Sequence, residues 1–322
     1  MLSRRHFLAT AAATAAAAAA SPGPLGAAEP LRVVATTGMI ADAARRVGGE
    51  AVAVRALMGP GVDPHAYRQT RSDIAALLDA DLALWNGLYL EAQMERFMLE
   101  LGARKPVAAV AEAIPRERLI AHEDYDGRFD PHVWIVPELW AEAVGAVRDA
   151  LVSARPEAEA TVRANAEAHL AEVARVGDYA RRVLGTVPEA RRVLLTAHDA
   201  FGYFGRAYGW EVIGIQGIST ESEAGLARIG ELVDLIVARD LTAAFVETSI
   251  SDRNVRALIE GAAARGHEVS VGGELFSDAM GEPGTYEGTW VGMIDHNATV
   301  IASALGGAPP PRGMDGRLSA GL

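Results

Sequence analysis

Apolar residues recur every three or four positions along the longest uninterrupted helical pattern in the chain, from Pro156 to Leu184. They are Val162, Ala166, Leu170, Val173, Val176, Ala180, Val183 and Leu184, and charged residues fill the other faces. That spacing places one apolar stripe along one side of a helix. Pro156 suits the first turn, and we expect Gly185 to end the helix in a left-handed cap. The pattern predicts a rigid helix about 40 Å long, at ~1.5 Å per residue, that divides the chain almost in two.

Short β-rich apolar runs alternate with helical patterns on both sides of this linking helix. Before it, the sequence predicts strands over 31–37, 51–58, 82–85 and 107–110 and helices over 39–47, 72–78, 91–101 and 137–151. Thr70 and Asp73 are spaced as a capping box for the second of these helices. After it, strands are predicted over 193–196, 211–215, 243–246 and 269–271, and helices over 200–208, 223–238, 254–264 and 289–305. We therefore expect an α/β fold of two βα-repeat lobes, each with a mostly parallel sheet, joined by one long rigid helix.

The two ends of the chain differ in pattern from the rest. Residues 1–27 contain Arg4 and Arg5, then an almost unbroken Ala/Thr run to Ala20 and a stretch of small residues. This order is typical of a cleaved Tat-type signal peptide. The apolar run, about a dozen residues, is shorter than the ~20 needed to span a bilayer. Residues 309–322 lack periodicity and are predicted to be a disordered tail. The lobes are then 28–155 and 187–308, with the linking helix over 156–186.

Composition narrows the class of protein. A chain of 322 residues with 50% hydrophobic and 22% charged content is typical of a globular protein of two domains. The formal net charge of −12 argues against nucleic acid as a partner. The sequence contains no cysteine, which excludes disulfides, thiolate metal sites and a cysteine nucleophile. It also excludes the lipid-modified cysteine of bacterial lipoproteins, so we expect a periplasmic protein that is not a lipoprotein.

Four groups have the chemistry of metal ligands. The tripeptide Asp-Pro-His occurs at 63–65 and 130–132, and Ala-His-Asp and Phe-Ser-Asp follow the linking helix at 197–199 and 276–278. Three of the groups lie in loops after predicted strands, where open parallel sheets bind ligands. Imidazole nitrogen and carboxylate oxygen are the donors that Zn²⁺ and similar ions take in the absence of thiolate. The candidate ligands, which can all face one cleft between the lobes, are His65, His132, His198 and Asp278.

Other polar and aromatic residues are given roles other than that of a principal metal ligand. Each Asp of the two tripeptides is expected to accept a backbone or imidazole N–H and so orient the ligand. Asp199 is placed to start helix 200–208 or to orient a ligand, and Glu247, at a strand end, is a reserve ligand. The remaining histidines that we interpret as packed or surface residues are His122, His169, His267 and His296. Aromatic side chains that we interpret as packing are Trp85, Tyr89, Trp134 and Phe276.

Five motifs carry a resemblance to a known family. They are Gly-Val-Asp-Pro-His-Ala-Tyr (61–67), Trp-Asn-Gly-Leu-Tyr-Leu-Glu (85–91), Asp-Pro-His-Val-Trp (130–134), Thr-Ala-His-Asp-Ala-Phe-Gly-Tyr-Phe (196–204) and Gly-Gly-Glu-Leu-Phe-Ser-Asp-Ala-Met-Gly (272–281). From about Leu31 to Leu305 the chain resembles the TroA-type family, the solute-binding proteins of zinc and manganese ABC importers. The resemblance implies the cluster A-I architecture, with a metal buried between two lobes. By position, the family's ligands fall on His65, His132, His198 and Asp278.

The resemblance also implies a function. We expect a monomer, not an enzyme, that captures Zn²⁺, or alternatively Mn²⁺, as its transported ligand and delivers it to the membrane permease and ATPase of an ABC importer. Zinc-dedicated members often carry a long His-rich loop, whereas this chain offers only His122, Glu123, Asp124 and Asp126 there. Manganese-type members often have Glu at the third ligand, where this chain has His198.

Two alternatives stay open at this point. One is a secreted zinc metallohydrolase that uses the same ligands, and the other is a metal-dependent adhesin or buffer without a dedicated transporter. A catalytic zinc usually keeps one position open for water, and four protein donors leave none. The sequence also lacks the motifs Gly-x-Ser-x-Gly and His-Glu-x-x-His and a phosphate-binding loop. We therefore favour the receptor.

Overall fold

The first half of the chain folds into a four-stranded parallel sheet with helices around it. The computed structural model describes residues 29–122 and 125–319. The strands are β1 (Leu31–Ala35), β2 (Val52–Ala56), β3 (Leu82–Trp85) and β4 (Val107–Ala109), in the order β2-β1-β3-β4. The helices are α1 (Gly38–Gly48), α2 (Arg71–Asp79), α3 (Glu95–Gly102) and α4 (Pro137–Ala154). The predicted capping box is present, because Thr70 N–H donates to the Asp73 carboxylate at 2.8 Å and Asp73 N–H donates to Thr70 Oγ1 at 3.3 Å.

The second half repeats the alternation with two parallel strand pairs. Strand β5 (Val193–Thr196) pairs with β6 (Glu211–Gly214), and β7 (Ala243–Glu247) pairs with β8 (Ser270–Leu275). Strand β5 also contacts β7. The helices are α5 (Glu159–Leu184), α6 (Gly202–Tyr208), α7 (Leu226–Ala238), α8 (Arg253–Ala263) and α9 (Trp290–Ala304). Short 3₁₀ helices lie at Gly49–Ala51, Val110–Ala113, Arg116–Arg118, Val133–Ile135, Pro156–Ala158 and Glu189–Arg191. The prediction of a two-lobed α/β fold with parallel sheets is confirmed.

The linking helix differs from its prediction at both ends. Helix α5 begins at Glu159, after a 3₁₀ turn that contains Pro156. Gly185 has a φ of −64°, so the predicted left-handed cap is wrong. The chain instead tightens after the helix, with the N–H groups of Thr186 and Val187 each bonded to a carbonyl three residues earlier. Such 3₁₀-type bonds satisfy the last carbonyls of a helix, so no left-handed residue is needed.

One continuous hydrophobic core connects the two halves. Helix α5 packs against α4, α9 and α1, and its buried side chains join those of all three. The indoles of Trp140 and Trp290 stack with ring centroids 5.8 Å apart. Trp290 Nε1 donates to Trp134 O at 3.0 Å, and Tyr179 and Thr299 share a hydrogen bond of 2.8 Å between α5 and α9. The linking helix is therefore held along its length by helices from both sides.

The carboxyl-terminal stretch also differs from its prediction. Met314 N–H donates to the Asp295 carboxylate at 3.0 Å, and Ser319 N–H donates to Glu287 Oε1 at 2.7 Å. The side chain of Leu318 is completely buried. Residues 309–319 of the tail predicted to be disordered are thus packed on α9 and the segment before it, whereas residues 320–322 of that prediction lie outside the described residues. The stretch has no periodicity of its own because its order comes from acceptors and an apolar site supplied by distant residues.

Two further helices begin later than predicted because the segments before them form loops. Helix α3 starts at Glu95, since residues 86–91 form a turn in which Leu88 and Tyr89 have positive φ. Helix α7 starts at Leu226, after a loop that crosses to the other half of the molecule. Strand β8 extends to Leu275, four residues beyond its predicted end. These loops and strand ends place the polar groups described next.

Candidate metal centre

Three imidazoles and one carboxylate from four separate segments meet in the interior. His65 lies in the loop between β2 and α2, and His132 directly precedes the 3₁₀ turn Val133–Ile135. His198 lies two residues after β5, and Asp278 lies three residues after β8. One ligand atom from each side chain lies within 4.8 Å of all the others. Each residue is at most 3% exposed. The structure therefore brings together the four residues that the sequence singled out.

The spacing of the donor atoms fits a small metal ion. His132 Nε2 lies 3.2 Å from His65 Nε2, 3.3 Å from His198 Nε2 and 3.4 Å from Asp278 Oδ1. Asp278 Oδ2 lies 3.2 Å from His198 Nε2 and 3.9 Å from His65 Nε2. Tetrahedral zinc with bonds of ~2.0–2.1 Å places its ligand atoms about 3.3 Å apart. The cluster thus has the donor set and the dimensions of a four-coordinate site.

Two further carboxylates fix the orientation of the imidazoles. Asp130 Oδ1 lies 2.7 Å from His132 Nδ1 and accepts the His132 N–H at 2.9 Å. Glu247 contacts His198 in the same way, at 2.6 Å from Nδ1 and 2.9 Å from the backbone nitrogen. A proton on Nδ1 leaves the Nε2 lone pair directed at the centre of the cluster. Glu247 therefore orients a candidate ligand and does not itself belong to the cluster.

Asp63 contacts His65 through the backbone of that histidine. Asp63 Oδ1 accepts the His65 N–H at 2.8 Å, while Asp63 Oδ2 accepts a hydrogen bond from Thr220 Oγ1 at 2.6 Å. The expectation that each Asp of the two tripeptides accepts a nearby N–H is therefore confirmed, with the imidazole included only at His132. The bond to Thr220, in the loop before α7, ties the first tripeptide to the opposite half of the molecule.

Residues that sequence reasoning missed hold the Asp278 segment. The Asn297 side chain in α9 accepts the Phe276 N–H at 3.0 Å and donates to the Phe276 carbonyl at 2.7 Å. Trp134 Nε1 donates to the Ser277 carbonyl at 2.7 Å. Trp134, which we predicted as packing, thus also connects the His132 segment with the Asp278 segment. The sequence signal was weak, since Asn297 lies within a mostly apolar helix.

Burial and the neighbouring charges shift the pKa values of His132 and Asp278 in opposite directions. Burial lowers the pKa of His65 to about 3. Burial also lowers the pKa of His132, but the carboxylates of Asp130 and Asp278 together more than offset it, and the pKa rises to about 9. Burial raises the pKa of Asp278, yet the imidazoles of His198 and His132 bring it well below its usual value. A metal ion binds the unprotonated Nε2 atoms and the ionised carboxylate, so binding would displace any proton held on these atoms.

The other histidines of the described residues lie outside the cluster. His267 Nε2 lies 2.7 Å from the Leu241 carbonyl, and His296 Nε2 lies 2.9 Å from the Glu274 carbonyl. His169 is packed within α5, and the His122 ring contacts the Tyr125 ring with centroids 4.7 Å apart. Among the described residues, no second group of three or more ligand-type side chains comes together. A cavity of about 520 Å³ reaches the cluster at Asp278.

The chain is similar in sequence to proteins that are named for metal uptake or metal binding. The sequence matches the family described as "ZnuA: Zinc-uptake complex component A periplasmic" over residues 33–304. It is 46% identical over 275 residues to the manganese-binding lipoprotein MntA of Bacillus subtilis (strain 168), covering 85% of this chain and 90% of that protein. It is 47% identical over 273 residues to the zinc-binding protein TroA of Treponema pallidum (strain Nichols), covering 85% and 88%.

A solved structure extends the similarity to three dimensions. The periplasmic zinc-binding protein TroA from Treponema pallidum matches with a TM-score of 0.84 and 46% sequence identity, over 86% of this chain and 99% of that one. The resemblance inferred from the five motifs is confirmed. The chain therefore belongs to the family of the periplasmic component A of zinc-uptake complexes.

Proposed function

We propose that this protein captures one divalent transition-metal ion on His65, His132, His198 and Asp278 and delivers it to the permease and ATPase of an ABC importer. The observation that carries this proposal is the convergence of four buried donor atoms from both halves of the chain. The ion is cargo, held between a lobe over 28–155 and a lobe over 187–308 that the linking helix 156–186 joins. Four protein donors leave no coordination position for a reacting water, so we propose no catalytic role.

We further propose that zinc is the preferred cargo and manganese the second candidate. Three imidazoles and one carboxylate suit Zn²⁺, whereas Mn²⁺ favours more oxygen donors and higher coordination. The two relatives at 46% and 47% identity are named for manganese and for zinc, so the relatives' names do not decide between the metals.

Export is a separate part of the proposal. The predicted Tat-type signal over 1–27 lies outside the described residues, and we propose that it is cleaved on the periplasmic side. The Bacillus subtilis relative is named a lipoprotein, but this sequence has no cysteine to carry a lipid. We therefore propose an unanchored monomer. Within the described part of the chain, no helix is both long and apolar enough to cross a bilayer. Mass spectrometry of the protein from the native envelope tests both the cleavage and the missing lipid.

Elemental analysis of protein purified from its native periplasm, followed by competitive titration with Zn²⁺ and Mn²⁺, tests the capture of metal. We expect one ion per chain and tighter binding of zinc. Alanine at His65, His132, His198 or Asp278 should weaken binding far more than alanine at His122, His169, His267 or His296. Protein that gives no heat and no thermal shift with either ion would contradict the proposal. Loss of metal in His169→Ala but not in His198→Ala would show that another cluster binds it.

A further inference from the structure

The turn after β3 has a backbone that few side chains adopt. Gly87, Leu88 and Tyr89 have φ angles of 77°, 52° and 71°, which places three consecutive residues in the left-handed region. For Leu and Tyr this conformation is unfavourable, and it persists only where surrounding contacts impose it. The motif 85–91 that contains this turn has no part in the metal centre described above. Its strained geometry therefore needs a separate explanation.

The buried side chain of Glu91 holds this turn in place. Its Oε1 accepts hydrogen bonds from Thr36 Oγ1 at 2.6 Å and Asn86 N at 2.8 Å, and its Oε2 accepts one from Gly87 N at 3.2 Å. Glu91 is completely buried, and burial raises the pKa of its carboxyl. An apolar side chain would avoid the cost of removing a carboxyl group from water. We therefore explain the carboxyl group by the hydrogen bonds that its two oxygens accept, and not by a gain in core stability.

Asn86 connects Glu91 with the metal centre through hydrogen bonds. With its backbone N–H held by Glu91, its side-chain Nδ2 donates to the Gly87 carbonyl at 3.1 Å and to the Pro131 carbonyl at 3.2 Å. Pro131 is the middle residue of the second Asp-Pro-His tripeptide. The next residue, His132, lies at the centre of the cluster. A buried line of contacts thus runs from Glu91 through Asn86 and Pro131 to His132.

We infer that Glu91 is a positioning residue for the metal centre, which acts through Asn86 to hold the Pro131 carbonyl and thereby the His132 imidazole. This inference rests on the proposed function, because it takes His132 as a ligand. It assigns a role to the turn as well, since the left-handed turn lies between the N–H groups of Asn86 and Gly87 and the Glu91 carboxylate that accepts from both. Residues that orient a ligand from outside the metal's own shell typically change its affinity by about 10- to 100-fold.

The first experiment is isothermal titration with Zn²⁺ of the mature chain and its Glu91→Gln variant. Gln keeps the size of the side chain, but its NH₂ group cannot accept the Gly87 N–H. We expect zinc affinity to fall about 10- to 100-fold while the circular dichroism of the metal-free protein stays the same. Asn86→Ala, which removes the donor to Pro131 and leaves Glu91 intact, should produce a loss of the same size.

Asp295→Asn is the matched control. Asp295 is also fully buried and accepts hydrogen bonds from Tyr286, Thr299 and Met314, of which only Met314 lies in the carboxyl-terminal stretch. We expect this variant to lower the melting temperature without changing zinc affinity. A loss of affinity in Asp295→Asn as large as that in Glu91→Gln would show a general effect of core damage and would overturn the inference.

A double-mutant cycle distinguishes a positioning role of Glu91 from a general effect of its replacement on the structure. If Glu91 acts through His132, Glu91→Gln should cause no further loss of affinity in a His132→Ala background. In a His198→Ala background it should cause the same fold-loss as in the unmodified protein. Equal losses in both backgrounds, or an unchanged affinity in Glu91→Gln, would overturn the inference and leave the proposed function standing. Failure of the unmodified protein to bind zinc would overturn both.

Discussion

The imidazole of His198 contacts a carboxylate on each of its nitrogens, and the two contacts have different roles. Asp278 lies on the Nε2 side, where it belongs to the candidate ligand set, and Glu247 lies on the Nδ1 side. Such a pair fixes the tautomer and raises the basicity of the imidazole. Burial lowers the pKa of His198, but the charge of Glu247 and of Asp278 more than offsets it. We therefore expect metal binding at His198 to depend on the Glu247 carboxylate, which lies outside the candidate ligand set.

Replacing Glu247 by Gln tests that dependence. The amide can donate a hydrogen bond from its NH₂ group to Nδ1 of His198. The imidazole proton would then lie on Nε2, the nitrogen that faces the ion. We expect zinc affinity to fall about 10- to 100-fold, measured by competition with a chromogenic chelator. Glu274→Gln, on the exposed face of β8, is the control and should bind zinc as the unmodified protein does. Unchanged affinity in Glu247→Gln would mean that the packing of the ring is sufficient.

Replacing His198 by Glu tests selectivity at the same position. The change exchanges an imidazole nitrogen for one or two carboxylate oxygens, which favours Mn²⁺ relative to Zn²⁺. We expect the zinc-to-manganese affinity ratio to fall, as measured by competitive titration at one pH. The new carboxylate would also face Glu247, so Glu247→Gln in the same protein should recover part of the overall affinity. A ratio that does not fall would show that cavity geometry sets the preference.

At the scale of elements, helix α5 packs on α1 through both apolar and charged side chains. Arg46 in α1 lies 3.0 Å from the Glu172 carboxylate in α5 and 3.4 Å from that of Asp42. His169 is buried beside them, with Nδ1 3.6 Å from Glu172 Oε2. Asp42 Oδ2 also accepts the Trp290 N–H at the start of α9, at 2.9 Å. This polar cluster connects three helices next to the hydrophobic core.

His169 makes stability depend on pH in a predictable direction. Burial lowers its pKa, so the folded protein disfavours the protonated imidazole more than the unfolded chain does. The stabilisation is present above the unfolded pKa of about 6.5 and is lost as pH falls through that value towards the folded pKa. We expect the free energy of unfolding of metal-free protein to fall less between pH 7 and pH 5 in His169→Gln than in the unmodified protein. Denaturant titrations at both pH values measure the difference, and equal falls would contradict the prediction.

The packed carboxyl-terminal stretch makes a second prediction at this scale. Leu318 is completely buried, so Leu318→Ala should lower the free energy of unfolding by about 2 to 4 kcal/mol, through lost burial and a new cavity. Leu226→Ala is the matched control, because Leu226 is 93% exposed, and it should change stability little. Urea titrations of both variants measure the effect. Equal stability of Leu318→Ala and the unmodified protein would mean that the stretch is not packed in solution.

At the scale of the whole molecule, the metal centre depends on both halves. His65 and His132 come from segments before the linking helix, and His198 and Asp278 from segments after it. The bonds from Thr220 to Asp63 and from Trp134 to Ser277 also cross between the halves. Because a long helix joins the lobes and packs on both, we expect smaller movements on metal release than loop-linked lobes allow.

Metal should therefore stabilise the molecule as a unit. An ion that binds the folded state alone raises the free energy of unfolding by ~4 kcal/mol at a thousandfold excess over Kd. We expect Zn²⁺ to raise the melting temperature of chelator-stripped protein in differential scanning calorimetry. Mg²⁺, which prefers octahedral oxygen ligands, is the control and should produce no comparable shift. A zinc shift no larger than the magnesium shift would contradict a specific site.

The sequence by itself determined the features that depend on neighbouring residues. The alternation of strands and helices, the capping box of Thr70 and Asp73, and the apolar stripe of α5 are all local patterns. Placement of His65, His198 and Asp278 after parallel strands followed from the same patterns, because open parallel sheets bind ligands at the carboxyl ends of their strands. Each Asp of the two tripeptides lies two residues from its histidine, so its bond to the histidine N–H was also predictable.

Only the tertiary structure decided the features that join distant residues. Glu247 meets His198 across 49 positions because β7 lies beside β5. Residues 309–319 are ordered by Asp295, Glu287 and an apolar site for Leu318, none of which the stretch itself reveals. The left-handed turn at Leu88 and Tyr89 contradicts local preference and is held by the buried carboxylate of Glu91. A local pattern reports the interactions of near neighbours, whereas these arrangements gain their free energy from contacts that exist only after the chain has folded.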